Sequence, residues 1–396
     1  MAKERIGIMG GTFNPIHRGH VIMAQAAMEA VSLDRVIFLP DGQPPHKTGI
    51  APAEDRWRMV NVALSGARRM EASRMELDRE GTTYTYDTLI RLRDKLPKAS
   101  LFYIIGADTL MQLKTWHRFE DVLKLCTFLV CPRNGGPDAD ELLAEQHRLA
   151  KAGGKIAFVG MEPVDVSSTQ IRAALAQGRE PAMLDPMVGE YAAATGLYGP
   201  PRVQRAAEWM AQLYDDLTFK RFVHTLGVAY SARELALIHG LDAARAEGAA
   251  LLHDCAKCLA LSNMQWIAYD NKLTADRSIL SSGALLHAIV GRWMAEQVYG
   301  VTDTAVLEAI EAHTTGAPGM SPLAMAVYLA DKIEPGREAY PLLEKVRETA
   351  KRSLVQAMIL SMEGTASYVE KGGKPLHPRT LETLAWLRNQ NEKAGG

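Results

Sequence analysis

Short apolar runs alternate with amphipathic stretches along the first half of the chain. The runs predict buried strands of about five residues at positions 5–9, 35–39, 100–105, 127–131 and 155–159. Between them, apolar positions recur at helical spacing, which predicts helices at 20–31, 53–65, 86–96 and 139–152. This alternation predicts an α/β domain, a parallel sheet with helices on both faces. Sheets of this kind bind ligands at the carboxyl ends of their strands.

The pattern changes near residue 196, where the Gly- and Pro-rich segment GLYGPPRVQR is typical of a linker. Beyond it, apolar residues recur only at helical spacing, as they do at Leu285, Leu286, Ile289 and Val290. The second half is therefore predicted to be an all-α helical bundle. We expect a first domain over residues 1–196, a linker over 197–206 and a helical domain over 207–396.

Composition narrows the functional classes. The chain has 396 residues, with 45 Lys and Arg against 46 Asp and Glu, and four cysteines. A near-neutral chain lacks the basic footprint of proteins that bind nucleic acid or acidic lipid, and four cysteines are too few for a disulfide scaffold. No apolar segment is as long as a signal-peptide core or a membrane span. We therefore expect a cytoplasmic protein that binds neither nucleic acid nor membrane; a homo-oligomer is compatible with the sequence.

The segment GGTFNPIHRGH, residues 10–20, lies between the first predicted strand and the first predicted helix. Gly10 and Gly11 let the backbone turn sharply, so that amide N–H groups can approach an anion at the positive end of the helix dipole. His17 and His20 are three residues apart and project to one side near the helix start. Two imidazoles there can hydrogen-bond phosphoryl oxygens and stabilise charge in a transition state. The alternative is that both histidines only cap or pack.

A second segment, VSSTQIR at residues 166–172, predicts the start of another helix, which we expect to run to Gly178. The hydroxyls of Ser168 and Thr169 share one face with Arg172, one turn later. Hydroxyls, a helix N-terminus and a guanidinium together can form a phosphate site. A capped helix with a nearby arginine is common, so this segment indicates a phosphate site only in combination with residues 10–20.

Together, GGTFNPIHRGH and SSTQIR resemble the paired signatures of the nucleotidyltransferase α/β-phosphodiesterase superfamily. YIIGADTLMQLKTWHRF at 103–119, PPHK at 44–47 and TYTYDTL at 83–89 narrow the resemblance to bacterial nicotinate-nucleotide adenylyltransferases, over residues 4–195. The resemblance implies a Rossmann-like nucleotidyltransferase domain that transfers the adenylyl group of ATP, with Mg²⁺ on the triphosphate, to nicotinate mononucleotide. The products would be nicotinate adenine dinucleotide, for NAD biosynthesis, and pyrophosphate. Alternatively, a domain with the same fold transfers the adenylyl group to nicotinamide mononucleotide or phosphopantetheine.

The resemblance also assigns residues to the substrates by position. His17 and His20 would act on the ATP phosphates, and the β/γ end would be held by Ser168, Thr169 and Arg172. The full set expected to bind ATP comprises Gly10, Gly11, Thr12, Phe13, His17, His20, Asp108, Ser167, Ser168, Thr169 and Arg172. The pyridine nucleotide would contact Lys47, Thr85 and Trp116. For Asp108 and Trp116, an ordinary structural role such as core packing is the alternative.

The helical half carries histidines and aspartates that are well separated in sequence. His253 and Asp254 are adjacent in AALLHDCAK and would diverge by about 100° on a continuous helix. The pair therefore needs partners from other helices to build a metal site. The candidates for one metal are His224 and Asp331, and those for a second metal are His287 and His313. Two metals about 4 Å apart can activate a bridging water and clamp both oxygens of a phosphoanhydride.

This pattern resembles the HD-domain phosphohydrolases. The run from FVHTLGVAYSARELA through EGAALLHDCAK to EAHTTG and ADKIEPGR resembles the YqeK family within them, over residues 205–390. The resemblance implies symmetrical hydrolysis of diadenosine tetraphosphate to two ADP, with two ions of iron or another transition metal and with Asp254 as a catalytic residue. Lys257 could neutralise substrate phosphate or be only a solvated surface lysine. The alternative is that this half is not an enzyme but a module that senses nucleotides without hydrolysing them.

The CxxC formed by Cys255 and Cys258 admits a redox or zinc interpretation. However, the sequence has no second pair of this kind, and Cys255 directly follows the His–Asp pair within the expected helix. We therefore expect both cysteines to have a structural packing role.

Overall fold

The computed structural model describes residues 3–42, 49–371 and 376–395 of the chain. The chain divides into two compact units, Met1–Gly189 with Leu197–Gly199, and Glu190–Gly196 with Pro200–Gly396. The first is an α/β unit and the second is helical. The predicted fold class is thereby confirmed.

A parallel six-stranded sheet forms the centre of the first unit, in the order β3-β2-β1-β4-β5-β6. The strands are β1 Arg5–Gly11, β2 Arg35–Pro40, β3 Met70–Ala72, β4 Ser100–Gly106, β5 Thr127–Cys131 and β6 Lys155–Phe158. Most residues of β1, β2, β4 and β5 are buried in succession, which explains their continuous apolar runs. The strand order reverses between β1 and β4, and this reversal opens a crevice at their carboxyl ends.

Helices connect the strands of the first unit. They are α1 Arg18–Ala30, α2 Ala53–Leu64, α3 Thr85–Lys95, α4 Ala107–Gln112, α5 Phe119–Leu125, α6 Ala139–Lys151 and α7 Ser168–Leu175, while α8 Pro186–Thr195 contributes residues to both units. The predicted helix after VSSTQIR ends at Leu175 and not at Gly178, because Gly178 takes a φ of 70° and closes a turn. The sequence did not predict β3, which pairs with β2 at the end of the sheet order and has no apolar run.

The second unit is a helical bundle. Its helices are α9 Ala206–Asp216, α10 Phe219–Ile238, α11 Ala243–Leu252, α12 Leu261–Asp270, α13 Arg277–Leu280, α14 Gly283–Gln297, α15 Thr304–Ala312, α16 Pro322–Ile333, α17 Leu343–Ala350, α18 Leu354–Lys371 and α19 Pro378–Gly395. Helix α16 is buried at every position from Leu323 to Asp331 and packs against α10, α11, α15 and α18. Helix α10 also packs against α11, and α15 against α14. Among the described residues, no helix has the length and apolarity needed to cross a membrane.

Candidate functional site

The loop between β1 and α1 is held in shape by buried contacts. The guanidinium of Arg56, a buried side chain, donates to the carbonyl oxygens of Thr12 and Gly42 at 2.9 and 3.1 Å. A Cβ at Gly10 would collide with the hydroxyl of Tyr103, so this position requires glycine. These contacts fix the backbone that follows β1. Gly10 and Gly11 themselves lie within β1, and the sharp turn expected there is not found.

The two histidines of this loop stack on each other, with ring centroids 3.8 Å apart. Phe13, whose φ of 47° is left-handed, places its ring edge against His20 at a centroid distance of 5.1 Å. The backbone N–H of His17 donates to Nδ1 of His20 at 3.2 Å. The hydrogen of a neutral His20 ring is therefore on Nε2, where it can be donated to a phosphoryl oxygen. Among the described residues, the buried Nδ1 of His17 has no hydrogen-bond partner.

Both rings are neutral at neutral pH. Burial and the nearby charge of Arg133 lower the pKa of His17 to about 4. Burial, followed by the proximity of His17, lowers the pKa of His20 well below its usual value. The pair can therefore act as hydrogen-bond donors and acceptors without carrying charge.

The second predicted segment lies directly against the first. The hydroxyl of Ser168 donates to the carbonyl oxygen of Pro15 at 3.0 Å. Arg172 donates through Nη1 to the carbonyl oxygen of Asn14 at 2.7 Å and through Nη2 to the hydroxyl of Thr169 at 3.2 Å. The structure thus brings the two segments together, as their pairing predicted.

The other ATP candidates occupy neighbouring strand and helix ends. Gly11 ends β1, and the Thr12 hydroxyl that follows it donates to Asp41 at 3.1 Å. Ser167 caps α7 by accepting the backbone N–H of Gln170 at 3.2 Å.

Asp108 lies in the first turn of α4, directly after β4, and forms a 3.0 Å ion pair with Arg133. Arg133 was not predicted from the sequence, although it follows β5 by two residues at the same edge of the sheet. Its charge contributes to the lowered pKa of His17 and of His20, which places it near both imidazoles.

Two of the three residues that were predicted to contact the pyridine nucleotide lie next to Tyr103. Thr85 begins α3 and hydrogen-bonds the Tyr103 side chain. The Trp116 ring lies edge-on to Tyr103 and Phe128 at centroid distances of 5.8 and 6.2 Å, so it also packs on the core. Lys47, like the rest of PPHK, lies outside the described residues.

In the second unit, all six candidate metal ligands converge. They are His224 on α10, His253 and Asp254 after α11, His287 on α14, His313 after α15 and Asp331 on α16. Among the described residues, two sets of three can each hold a metal ion: His224, His253 and Asp254, and Asp254, His287 and His313.

Asp254 is common to the two sets because its two oxygens face in different directions. Its Oδ1 lies 3.0 Å from Nε2 of His287 and 3.6 Å from Nε2 of His313. Its Oδ2 lies 3.4 Å from Nε2 of His253 and 3.9 Å from Nε2 of His224. Asp331 completes the cluster with Oδ1 at 3.0 Å from Nε2 of His224. The cluster is thus organised around one shared carboxylate.

The local backbone corrects one expectation. The His–Asp pair was expected within a continuous helix, but α11 ends at Leu252 and His253 is its C-cap. Nδ1 of His253 lies 2.6 Å from the carbonyl oxygen of Ala250, and His313 repeats this contact after α15 with Ile310. The carbonyl oxygens of the last turn of a helix have no donor within the helix, and the Nδ1–H groups of these two imidazoles serve as their donors. His253 still has helical backbone angles, φ −54° and ψ −38°, so the expectation is wrong only in where the helix ends.

The donor set fits divalent metals. Because carbonyl oxygens only accept, His253, His287 and His313 carry their hydrogens on Nδ1 and present lone pairs at Nε2. Nε2 of His287 lies 3.0 Å from Nε2 of His313, an approach that a cation between the two would stabilise. Nε2 of His253 is buried without a hydrogen-bond partner in the part of the chain that the structure describes. Burial lowers the pKa of His287 to about 4, so this ring is neutral, as a ligand must be.

Charged side chains that were not predicted surround the ligands. Arg221 contacts Asp254 at 2.7 Å, and Arg337 and Lys332 each contact Asp331 at 2.7 Å. Glu334 accepts from Nδ1 of His224 at 3.1 Å. Lys257, which was predicted, lies with Nζ 3.2 Å from Nε2 of His287. Arg221 and Glu334 each lie three residues from a predicted ligand, a helical spacing that could have identified them.

The CxxC pair does not form a ligand set. Cys255 is buried and its thiol contacts the carbonyl oxygen of Gly291 at 3.5 Å, whereas Cys258 is exposed. All four cysteines of the chain are free thiols.

Two family comparisons match the two halves of the chain. The Cytidylyltransferase-like family matches residues 8–174, which contain both segments that were predicted to bind phosphate. The HD domain family matches residues 221–336, which contain all six candidate metal ligands.

Individual relatives match one half or both. A Mycoplasma pneumoniae protein named "probable nicotinate-nucleotide adenylyltransferase/Ap4A hydrolase" is 30% identical over 83% of this chain and 88% of that protein. A Saccharopolyspora erythraea protein named "probable nicotinate-nucleotide adenylyltransferase" is 39% identical over 52% of this chain and 95% of that protein. A crystal structure of a "predicted HD superfamily hydrolase involved in NAD metabolism" from Clostridium acetobutylicum is 36% identical, covers 46% of this chain and 97% of that chain, and has a TM-score of 0.45.

Proposed function

This chain belongs to the family of proteins that join a nicotinate-nucleotide adenylyltransferase to an HD-domain hydrolase, and from that premise we propose that its first unit transfers the adenylyl group of ATP to nicotinate mononucleotide. The products are nicotinate adenine dinucleotide and pyrophosphate. We assign this activity to a domain of residues 1–196, followed by a linker at 197–206. The proposal depends above all on the contacts of Ser168 and Arg172 with the loop that carries His17 and His20.

In the proposed reaction, a phosphate oxygen of the acceptor bonds to the α-phosphorus of ATP while the bond from that phosphorus to the bridging oxygen breaks. Pyrophosphate leaves with the bonding electron pair. No side chain acts as a nucleophile, so the protein contributes positioning and charge stabilisation. The Nε2–H of His20 donates to the α-phosphoryl oxygens, and Ser168, Thr169 and Arg172 hold the β- and γ-phosphates of the Mg²⁺-bound nucleotide.

We assign the acceptor to the region around Tyr103. Thr85 and Trp116 both contact this residue, and Trp116 offers a ring face or edge to the pyridine. Lys47 would neutralise the acceptor phosphate. Parallel assays with nicotinate mononucleotide, nicotinamide mononucleotide and phosphopantetheine test this assignment, because a faster reaction with either of the last two would overturn it.

For the second unit, we propose symmetrical hydrolysis of diadenosine tetraphosphate to two ADP, in a domain of residues 207–396. The proposal depends on the convergence of four imidazoles and two carboxylates into two sets that share Asp254. Two bound ions, of iron or another transition metal, would activate a water and neutralise phosphate oxygens. The residues that would hold them are His224, His253, Asp254 and Asp331 on one side, and Asp254, His287 and His313 on the other.

In the proposed hydrolysis, the water oxygen bonds to one of the two central phosphorus atoms, and the bond from that phosphorus to the bridging oxygen breaks. The bridging oxygen keeps the bonding electron pair and leaves as the terminal phosphate oxygen of the second ADP, and the protons of the water are released to solvent. The basic side chains at the cluster, Arg221 and Lys257, neutralise the polyphosphate and orient it.

Product analysis of the purified full chain tests both activities. With ATP and nicotinate mononucleotide we expect the dinucleotide and pyrophosphate in equal amounts. With diadenosine tetraphosphate, after loading with Fe²⁺ or Mn²⁺, we expect ADP alone. ATP with AMP as products would contradict symmetrical cleavage, and tight binding without turnover would favour the nucleotide-sensing interpretation.

A further inference from the structure

Asn14 lies in the loop after β1, and three other segments of the first unit contact it. Its side-chain oxygen Oδ1 accepts the hydroxyl of Tyr198 at 2.8 Å and the backbone N–H of Ala51 at 3.1 Å. Its backbone carbonyl oxygen accepts from Nη1 of Arg172 at 2.7 Å. All four residues belong to the first unit. Asn14 thus joins the loop after β1 to α7 and to the segments before α2 and after α8.

One of these contacts determines how the Asn14 amide is oriented. A backbone N–H can only donate, so the atom that faces the N–H of Ala51 is the amide oxygen. The hydroxyl of Tyr198 therefore donates to the same oxygen. The side chain of Asn14 acts here as an acceptor of two hydrogen bonds, and neither of them needs its amide nitrogen.

Both donors are themselves held in place. The carbonyl oxygen of Ala51 accepts from Nε of the buried Arg56 at 3.0 Å. Burial raises the pKa of Tyr198, against the opposing effect of the nearby charges of Arg172 and Arg56, so the phenol is neutral and donates. Asn14 is buried, so water does not replace a donor that is lost.

The contacts of Asn14 bear on how Arg172 is aimed. The guanidinium of Arg172 has two acceptors here, the carbonyl oxygen of Asn14 and the hydroxyl of Thr169. The N–H groups of a guanidinium form a rigid fork, so two fixed acceptors determine the direction of the remaining donors. A shift of Asn14 would therefore change the direction in which Arg172 presents those donors.

We propose that Asn14 and Tyr198 are positioning residues for adenylyl transfer. The hydroxyl of Tyr198 fixes Asn14, and Asn14 directs the guanidinium of Arg172 towards the β- and γ-phosphates of ATP. Neither side chain needs to contact ATP. Because these phosphates are bound in the ground state and in the transition state alike, the contacts lower KM for ATP and leave kcat unchanged. This inference rests on the proposed adenylyl transfer by the first unit.

The test is steady-state kinetics of the full chain, followed by pyrophosphate release. Tyr198→Phe removes only the hydroxyl. We expect it to raise KM for ATP about three- to tenfold, the effect of one lost hydrogen bond, with kcat and KM for nicotinate mononucleotide unchanged. Asn14→Ala should raise KM for ATP at least as much. In the Asn14→Ala chain, Tyr198→Phe should have no further effect, since both substitutions remove the same contact.

Asn14→Asp is the conservative variant. Its carboxylate offers the same acceptor to Ala51 and Tyr198, and the charges of Arg56 and Arg172 lie close enough to Tyr198 to offset the added negative charge. We expect KM for ATP to stay close to that of the unmodified chain.

Two controls match these substitutions. Asn61→Ala removes an asparagine of the first unit that donates to the carbonyl oxygen of Trp57 within α2. Tyr340→Phe removes a tyrosine hydroxyl of the second unit, which donates to the carbonyl oxygen of Lys332. Both should leave KM for ATP unchanged.

A fall in kcat at unchanged KM for ATP would overturn the inference. Additive effects of Tyr198→Phe and Asn14→Ala would also overturn it, as would an Asn14→Asp chain that is impaired as much as Asn14→Ala. Thermal unfolding of each variant detects misfolding. If Asn14→Ala is unfolded at the assay temperature, Tyr198→Phe and Asn14→Asp decide the question.

Calorimetry with ATP and Mg²⁺, in the absence of an acceptor, separates the inference from the proposed function. Tyr198→Phe should weaken this binding about three- to tenfold, and the change is assigned to the first unit because Tyr198 lies in it. Weakened ATP binding in a chain that does not adenylylate nicotinate mononucleotide would reject the function alone. Adenylyl transfer with ATP binding and KM that do not respond to Tyr198→Phe would reject the inference alone.

Discussion

The hydroxyl of Ser168 donates to the carbonyl oxygen of Pro15 at 3.0 Å, although the two residues are 153 positions apart in the sequence. This bond attaches the start of α7 to the loop that begins α1, so the two helix N-termini lie close together. Each N-terminus carries partial positive charge and unpaired N–H groups. Two of them near one loop create the environment that a triphosphate requires.

Arg172→Lys tests this junction. Arg172 bonds the carbonyl oxygen of Asn14 and the hydroxyl of Thr169, and a single ammonium lacks the forked geometry to do both and also hold phosphate. We expect kcat/KM for ATP to fall by about tenfold or more, measured by pyrophosphate release. Arg179→Lys is the control, because Arg179 contacts Gln177 on the surface. An equal loss in this control would contradict the assignment.

His20→Ala tests the proposed phosphate donor. The contact from the backbone N–H of His17 leaves Nε2–H of His20 as the donor, and removal of one such preorganised group costs roughly a hundredfold in kcat. We expect adenylyl transfer to fall by that factor and hydrolysis of diadenosine tetraphosphate to stay unchanged. His147→Ala, at an exposed position of α6, should leave both activities intact. Loss of both activities in a folded His20→Ala chain would show that the two centres are not separate.

The fold could be predicted where burial is continuous. β5 is predicted to the residue because four of its five residues are apolar and buried, whereas β3, with the sequence MEA, has no apolar run and was not predicted. The His–Asp pair was placed inside a helix because periodicity does not reveal where a helix ends, and a C-cap histidine looks like an interior one.

The site was predictable as far as its residues form patterns. Histidines spaced along the helical half indicated a metal centre, and the structure gathers them. Arg133 belongs to a residue type that occurs throughout the sequence, and only folding shows that it lies near His17. The helical spacing of Glu334 from Asp331 marks it as a candidate, but only folding shows that it lies behind His224. Positions defined by contacts across the sheet or the bundle are not visible in local sequence.

The stability of the first unit is expected to depend on pH through His17. Its pKa is about 4 in the folded chain, against 6.5 for an unperturbed imidazole, because burial disfavours the charged ring. Below pH 6.5 the unfolded chain takes up the proton first, so stability falls as the pH drops from 6.5 towards 4 and is constant above 6.5. The shift corresponds to about 3 kcal/mol at most.

His17→Gln removes this titration. We expect the difference in melting temperature, variant minus unmodified chain, to increase steadily as the pH is lowered from 7 to 4.5. A series of thermal scans measures it. A constant difference across that range would show that His17 takes up its proton equally in both states. His147→Gln serves as the control for an exposed imidazole.

The thiols offer a test of the packing around the His–Asp pair. Cys126, Cys131 and Cys255 are buried, and Cys258 is exposed. Burial raises the pKa of Cys126 and of Cys131 to about 12, which further suppresses their thiolates. Titration of the native chain with a thiol reagent should modify one cysteine quickly, and denatured chain should react at all four. Cys258→Ser should abolish the fast phase without loss of bound metal; loss of metal would support the zinc interpretation.

Asp254→Ala should separate the two activities of the chain. The carboxylate of Asp254 faces His287 through one oxygen and His253 through the other, so its removal takes a ligand from both three-residue sets at once. We expect elemental analysis to show loss of bound transition metal, and hydrolysis of diadenosine tetraphosphate to fall to background. Adenylyl transfer should be unchanged, since none of its assigned residues lies in the second unit. Asp270→Ala, at an exposed position of α12, controls for the loss of an acidic side chain. If the Asp254→Ala chain retained hydrolysis at full rate, the shared carboxylate could not be the organising ligand, and the hydrolytic site would have to lie elsewhere.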